Sequence, residues 1–279
     1  MKTIIVINDN SNEALHAALL ALDIARKVGA NLLITNEFKI DKHTHANEHV
    51  LAGRIEEPIN AGEPVSDVAG YLRLISDTNS AFMPEITEMD ISDFKEEDLT
   101  RFVISNNIWM IVTGAYELSN THAENLHINI QSVLNHVRCP LLLVPEKSHW
   151  KSFEQIVYIA DLRYCRLPVV KFLAELALPY KANILVDHLS AKGLPHMEDN
   201  YALKVFNTEI VAKVNYDRLS FNNIKERDLN KAVDIMINGM HSDLIAMVNH
   251  RFHFEEILGR YVTHALPASI TIPLMIFPY

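Results

Sequence analysis

The chain has 279 residues, 49% of them hydrophobic and 22% charged, which is enough apolar material for packed cores and far from the low-hydrophobicity signature of disorder. A formal net charge of -10 and the absence of any basic run argue against a sequence-independent grip on nucleic-acid phosphates. No stretch approaches the roughly 20 apolar residues that span a bilayer, and the opening IIVI run is too short for a secretory segment, so a cytoplasmic, non-membrane protein is expected.

In chain order, Ile4–Ile7 is a continuous β-branched run, the form of a strand buried on both faces of a parallel sheet. Asn10–Val28 then repeats apolar residues at helical spacing through Leu15, Leu19 and Leu22. Asn10 with Glu13 suggests a capping box, and Gly29 is placed to end the helix in left-handed geometry. A second strand follows at Ala30–Thr35. The polar stretch His43–Pro64, punctuated by Gly and Pro, reads as an excursion loop. Helices are predicted at Pro64–Thr78, Asp93–Asn106 and Asn129–Val137, with strands at Met83–Met89, Trp109–Thr113 and Leu141–Val144.

The second half repeats this plan. IVYIAD (Ile156–Asp161) matches IIVIND (Ile4–Asp9), and ANILVD (Ala182–Asp187) matches ANLLIT (Ala30–Thr35), both at an offset of 152 residues. Further on, LIAMV (Leu244–Val248) matches MIVTG (Met110–Gly114), and IPLMIFP (Ile272–Pro278) matches CPLLLVP (Cys139–Pro145), at offsets of 134 and 133. The shorter offset gives the first copy about 18 extra residues, in the excursion loop. Pro168 suits a first helical turn and Pro179 closes that helix. The remaining segments are Val205–Val214, Leu219–Ile224, Asp228–Met240, Asp243–Val248 and Leu274–Phe277. Alternating strands and helices imply an α/β fold: two tandem domains, 1–147 and 153–279, each a five-stranded parallel sheet with helices on both faces.

The strand-final Asp of IIVIND, the fourth strand NNIWMIVTG ending in Gly, and the closing HVRCPLLLVPE together resemble the universal stress protein family in its tandem two-domain form, over nearly the whole chain. The resemblance implies a Rossmann-like, adenine nucleotide alpha hydrolase-like fold, with the two copies packed as a pseudo-dimer through CPLLLVP and IPLMIFP. Nucleotide-binding members of that family carry G-x2-G-x9-G-[S/T] after the fourth strand, because bare backbone must approach phosphate closely. In the first copy this spacing selects Gly114, Glu117, His127 and Ile128, so one glycine is kept. A carboxylate at Glu117 about 4 Å from a phosphate charge would cost on the order of 4 kcal/mol at an effective dielectric of about 20. In the second copy, Val248 and Arg251 stand at the first two glycines and Arg260 or Tyr261 at the third. Arg251, His250 and His253 could instead attract an anion.

Asp9 and Asp161 stand at the ends of first strands, where open α/β sheets bind ligands and where the family contacts adenosine. An Asp after a strand is also a helix-capping residue, and without the phosphate loop that reading is preferred. His43, His45 and His49 in the excursion loop read as a solvated segment rather than a metal site, lacking Cys or HExxH support. Cys139 and Cys165 sit in different halves with no ligand spacing and read as reduced thiols, and Cys139 has no base beside it to make it a nucleophile. No GxSxG, Walker or pyrophosphatase loop is present, and Glu255 and Glu256 are adjacent, so on a helix they diverge.

The expectation is therefore a non-catalytic module acting in stress response through a protein partner or small ligand, with no cofactor, internal domain pairing and room for a homodimer. The alternative is an adenine-nucleotide sensor or slow ATPase holding ATP or AMP through Asp161 and Arg251. A third reading is metal response through the His43–His49 loop.

Overall fold

The computed structural model describes residues 1–36, 67–76, 82–117, 129–145, 148, 152–191, 193–226, 228–249, 253–260, 262–263 and 265–279, with the side chain of Glu117 excepted. The excursion loop His43–Pro64 lies outside the described residues.

In the first half the strands are β1 (Lys2–Asn8), β2 (Ala30–Asn36), β3 (Ile86–Asp90), β4 (Met110–Glu117) and β5 (Leu141–Pro145). The helices between them are α1 (Asn12–Val28), α2 (Val68–Ser76), α3 (Glu96–Ser105) and α4 (Ile130–His136). The second half supplies β6 (Gln155–Ala160), α5 (Leu167–Ala177), β7 (Asn183–Leu189), α6 (Asp199–Val205), β8 (Leu219–Ile224), α7 (Leu229–Asp234) and β9 (Leu244–Val248). It ends with α8 (Phe254–Leu258), β10 (Ala265–Leu266) and β11 (Leu274–Phe277). Among the described residues no helix is long and apolar enough to cross a membrane.

Local chemistry sets the boundaries. Gly29 ends α1 at φ 69°, its N–H bonded to the Ala25 carbonyl, as the sequence predicts. The helix start differs: Ser11 rather than Asn10 is the N-cap, its hydroxyl accepting from the Ala14 N–H at 3.0 Å. Asn10 is displaced because it takes the left-handed φ of 63° that turns the chain out of β1. β4 runs past Thr113 to Glu117. Its extension pairs with β5 as far as Ala115, and at Tyr116 and Glu117 with the two-residue β10 of the second half.

The two five-stranded units expected from the sequence are not closed sheets of their own: the strands form one continuous 11-stranded sheet, ordered β3-β2-β1-β4-β5-β11-β9-β6-β7-β8 with β10 attached to β4. Strands are parallel on each side of the middle, and β5 meets β11 antiparallel, with Leu142 opposite Met275. The reason is the apolar edge each half would otherwise expose: Leu141–Leu143 and Leu274–Ile276 are nearly fully enclosed once paired, and their free N–H and C=O groups are bonded.

Both cores also run across that junction. On one face α1, α2, α5 and α6 cover the sheet, and Tyr180 donates to Asp23 of α1 at 2.7 Å. Trp109 stacks on Phe172 with ring centroids 4.7 Å apart, and its indole N–H reaches Glu175 at 3.3 Å. On the other face lie α3, α4, α7 and α8. There the Val262 N–H of the second half donates to Gln131 Oε1 of α4 at 2.7 Å, in a buried site.

Candidate functional site

β1 lies between β2 and β4, and β6 between β7 and β9, so each half has a crevice where the strand order reverses, outside the strands' C-terminal ends. Asp9 stands at the first crevice and Asp161 at the second.

Asp9 is occupied by its own protein. One oxygen accepts from the Ser11 N–H at 3.0 Å and the Ser11 hydroxyl at 2.5 Å, and the other accepts from the Tyr116 hydroxyl. Burial, reinforced by this bond to Asp9, pushes the Tyr116 phenol well above its ordinary range, so it stays a donor. Behind it Asn8 donates to Asn36 at 2.8 Å and accepts from the Asn10 N–H at 3.1 Å. Gly114, the glycine kept from the phosphate-loop pattern, lies within β4, and its bare Cα faces the first turn of α1. A Cβ there would be 2.6 Å from the Glu13 backbone carbon and 2.8 Å from the Ala14 nitrogen. The space a phosphate-binding glycine leaves open is filled by a helix. Glu117 ends β4 by its backbone, while His127 and Ile128 lie outside the described residues.

Asp161 is enclosed more completely, with no exposed side-chain surface. One oxygen accepts from the Arg163 N–H at 3.0 Å and Nε at 2.8 Å, and the other from Arg163 Nη2 at 2.9 Å and the Ala191 N–H at 3.0 Å. Burial opposes its ionisation, but the Arg163 guanidinium and these backbone N–H groups outweigh burial and hold the carboxyl below its usual value. Asp161 also caps the 3₁₀ turn Leu162–Tyr164, the capping role its sequence position suggested.

Beside it His188 is wholly buried, and its Nδ1 accepts the Leu162 N–H at 3.1 Å, which fixes the proton on Nε2. Burial lowers the His188 pKa despite the opposing pull of Asp161, so the ring is neutral. His253 is also neutral: burial lowers its pKa, and its Nε2 donates to the Leu189 carbonyl at 2.8 Å. It therefore adds no positive charge to the anion site the sequence suggested. Arg251 and His250, the other members of that set, lie outside the described residues.

The open space is small at one place and large at another. Between Asp161, Tyr164, Val248 and Phe254 the cavity is about 20 Å³, room for a single water and not for a purine. Beyond the ends of β7 and β8 a cleft of about 890 Å³ is lined by Leu189, Gly193, His196, Glu226, Leu229 and His253.

Among the described residues no group of three or more His, Cys, Asp or Glu side chains is placed to hold a metal ion, and His43, His45 and His49 are not among them. Cys139 and Cys165 are free thiols, and burial pushes both up to about 12, which leaves neither as a nucleophile at neutral pH. Reading the sequence alone missed Tyr116, Arg163 and His188. Arg163 had a usable signal, since a residue two positions after a strand-final Asp can close back on it. Tyr116 had none, because its partner is 107 residues away in sequence.

No family model matches the sequence, and no curated protein matches it. Solved structures do. A universal stress protein from Archaeoglobus fulgidus DSM 4304 is 12% identical with a TM-score of 0.55, covering 99% of this chain and 97% of its own. A putative universal stress protein from Pseudomonas aeruginosa UCBPP-PA14 is 12% identical with a TM-score of 0.57, covering 99% and 93%. A functionally unknown protein from Pseudomonas aeruginosa PAO1 gives 11% and 0.54, covering 99% and 92%. Likeness at this identity shows the fold, and the fold is the α/β, Rossmann-like arrangement of the universal stress proteins.

Proposed function

We propose that the chain is a tandem module of the universal stress protein type, with copies at 1–147 and 153–279, that acts in a stress response by binding a protein partner or a small non-nucleotide ligand and catalyses no reaction. The observation that carries this reading is the state of the two strand-final carboxylates. Asp9 and Asp161, the groups that would have to turn toward an adenosine, spend their oxygens on Ser11 and Tyr116 in one half and on Arg163 and Ala191 in the other. Freeing either leaves a buried donor without a partner, the Tyr116 hydroxyl in one half and the Ala191 N–H in the other, a cost of about 1–3 kcal/mol for each. The helix turn against Gly114 and the single-water cavity at Asp161 support the same reading.

The nucleotide alternative, ATP or AMP held by Asp161 and Arg251, requires the Arg163 pair to open. Thermal melting separates the two. A ligand at about a hundred times its Kd stabilises by roughly 2.7 kcal/mol, a shift of several degrees. Melting unchanged by millimolar ATP, AMP and cyclic nucleotides is the expected result, and a saturable rise with any of them overturns the reading. The two free thiols fit a reducing compartment, so a cytoplasmic location is part of the proposal, as is a homodimer formed through a surface other than the β5–β11 junction.

A further inference from the structure

Asp187 lies near the end of β7, and the strand's alternation sets it between Leu185 and Leu189 on the face that α7 and α8 cover. It is 0% exposed, and among the described residues neither carboxylate oxygen has a hydrogen-bond partner. The register places Ile159 of β6 on one side and Asn222 of β8 on the other. Its counterpart in the first half, Thr35, is equally buried but donates its hydroxyl to the Val6 carbonyl at 3.1 Å. A carboxylate is thus no requirement of the fold at this position.

Among the described residues no charge compensates it. On β6, Asp161 is committed to Arg163. On β8 the flanking Asn222 favours the charged form but stands outside hydrogen-bond geometry. On α7, Lys231 is exposed and 3.9 Å from Asp228, and Asp234 is exposed and accepts from Asn238. At α8, His253 is tied to Leu189, and Glu255 and Glu256 face solvent. An ionised carboxylate in such a layer must either take up a proton or be reached by water.

The cover above it lies at the edge of the sheet. Among the described residues β8 is the outermost strand and pairs with β7 alone. α7 has 6 residues and passes into a π-helical turn, Ile235–Gly239, a rare form of helix. The large cleft lined by Leu189 and Leu229 adjoins the same edge.

We propose that Asp187 is a proton-operated latch: protonated, it lets α7 and its π turn lie against the sheet, and ionised, it admits water beneath them and widens the cleft over Leu189. Burial pushes its carboxyl up to about 7, whereas the opened or unfolded chain returns it to about 3.9. Between these values the closed state holds a proton the open state has lost. Closure therefore weakens about tenfold per pH unit as pH rises toward about 7, and levels off above it. The buried neutral His188 and His253 act in the opposite sense, favouring opening as pH falls through their ordinary range.

Hydrogen exchange on the full chain, corrected for intrinsic rates and followed over 219–239 from pH 5 to 8, tests the latch with Asp187→Asn as the reference that keeps both histidines. The expected result is protection in the wild type that falls relative to the variant by about tenfold per unit up to about pH 7 and then levels. The same pH dependence in both proteins overturns the proposal. Should Asp187→Asn not fold, carbon-13 NMR of the wild-type Asp187 carboxyl decides. A midpoint near 7 supports the latch, and one near 4 overturns it.

Discussion

A methyl group on Gly114 would lie 2.6 Å from the Glu13 backbone carbon, closer than any Cβ contact tolerates, and both neighbours are main chain that cannot rotate away. Gly114→Ala must push α1 off β4, and overpacking of this kind costs about 1–3 kcal/mol, to be read as a fall in the urea midpoint with unchanged slope. A stability loss of this size identifies the glycine as a packing residue; an unaltered midpoint would return it to a loop role. The positions of Asp9, Asp161 and Gly114 were legible in the sequence from the internal repeat. Their partners were not, because Tyr116, Ala191 and Glu13 reach them through the fold. Asp187 is the one acidic residue of ANILVD, where ANLLIT has Thr35, but its isolation in the core is a property of the fold and leaves no mark in the run itself.

Elements with long apolar signals were legible for the same physical reason that they form. β1, β2, β6 and β7 are buried on both faces and so are written as unbroken apolar runs, while Gly29 and Asn129 mark helix ends by their backbone and capping chemistry. β10 and α8 were not. Two residues and five carry too little periodicity, and β10 exists through its pairing with β4 and the docking of Val262 on α4. That docking rests on Gln131, whose amide nitrogen also donates to Asn135 at 2.7 Å. Gln131→Ala leaves the buried Val262 N–H unsatisfied, at about 1–3 kcal/mol. The expected readout is lower stability with faster amide exchange at 262–266, and exchange unchanged there would remove the tether.

At the scale of the molecule, two cores that both cross the β5–β11 junction leave neither half an independent surface to melt from. Urea unfolding followed by tryptophan fluorescence, with Trp109 set against Phe172 of the other half, and by far-ultraviolet circular dichroism should give one coincident midpoint. Two separated midpoints would show halves that fold alone. The sequence placed the last strands together only through the family resemblance; periodicity carries no information on which strand edges meet.

The antiparallel meeting of β5 and β11 has a directional result. The first-half strands point one way and β6, β7, β8, β9 and β11 point back, with only the short β10 running alongside β4, so Asp9 and the cleft over Leu189 open toward opposite poles of the sheet. No small molecule can bridge them. What one pole senses reaches the other through the shared β-sheet, through the core contacts that cross the junction, or through the second-half tether at Val262–Leu266 that crosses to the first-half pole.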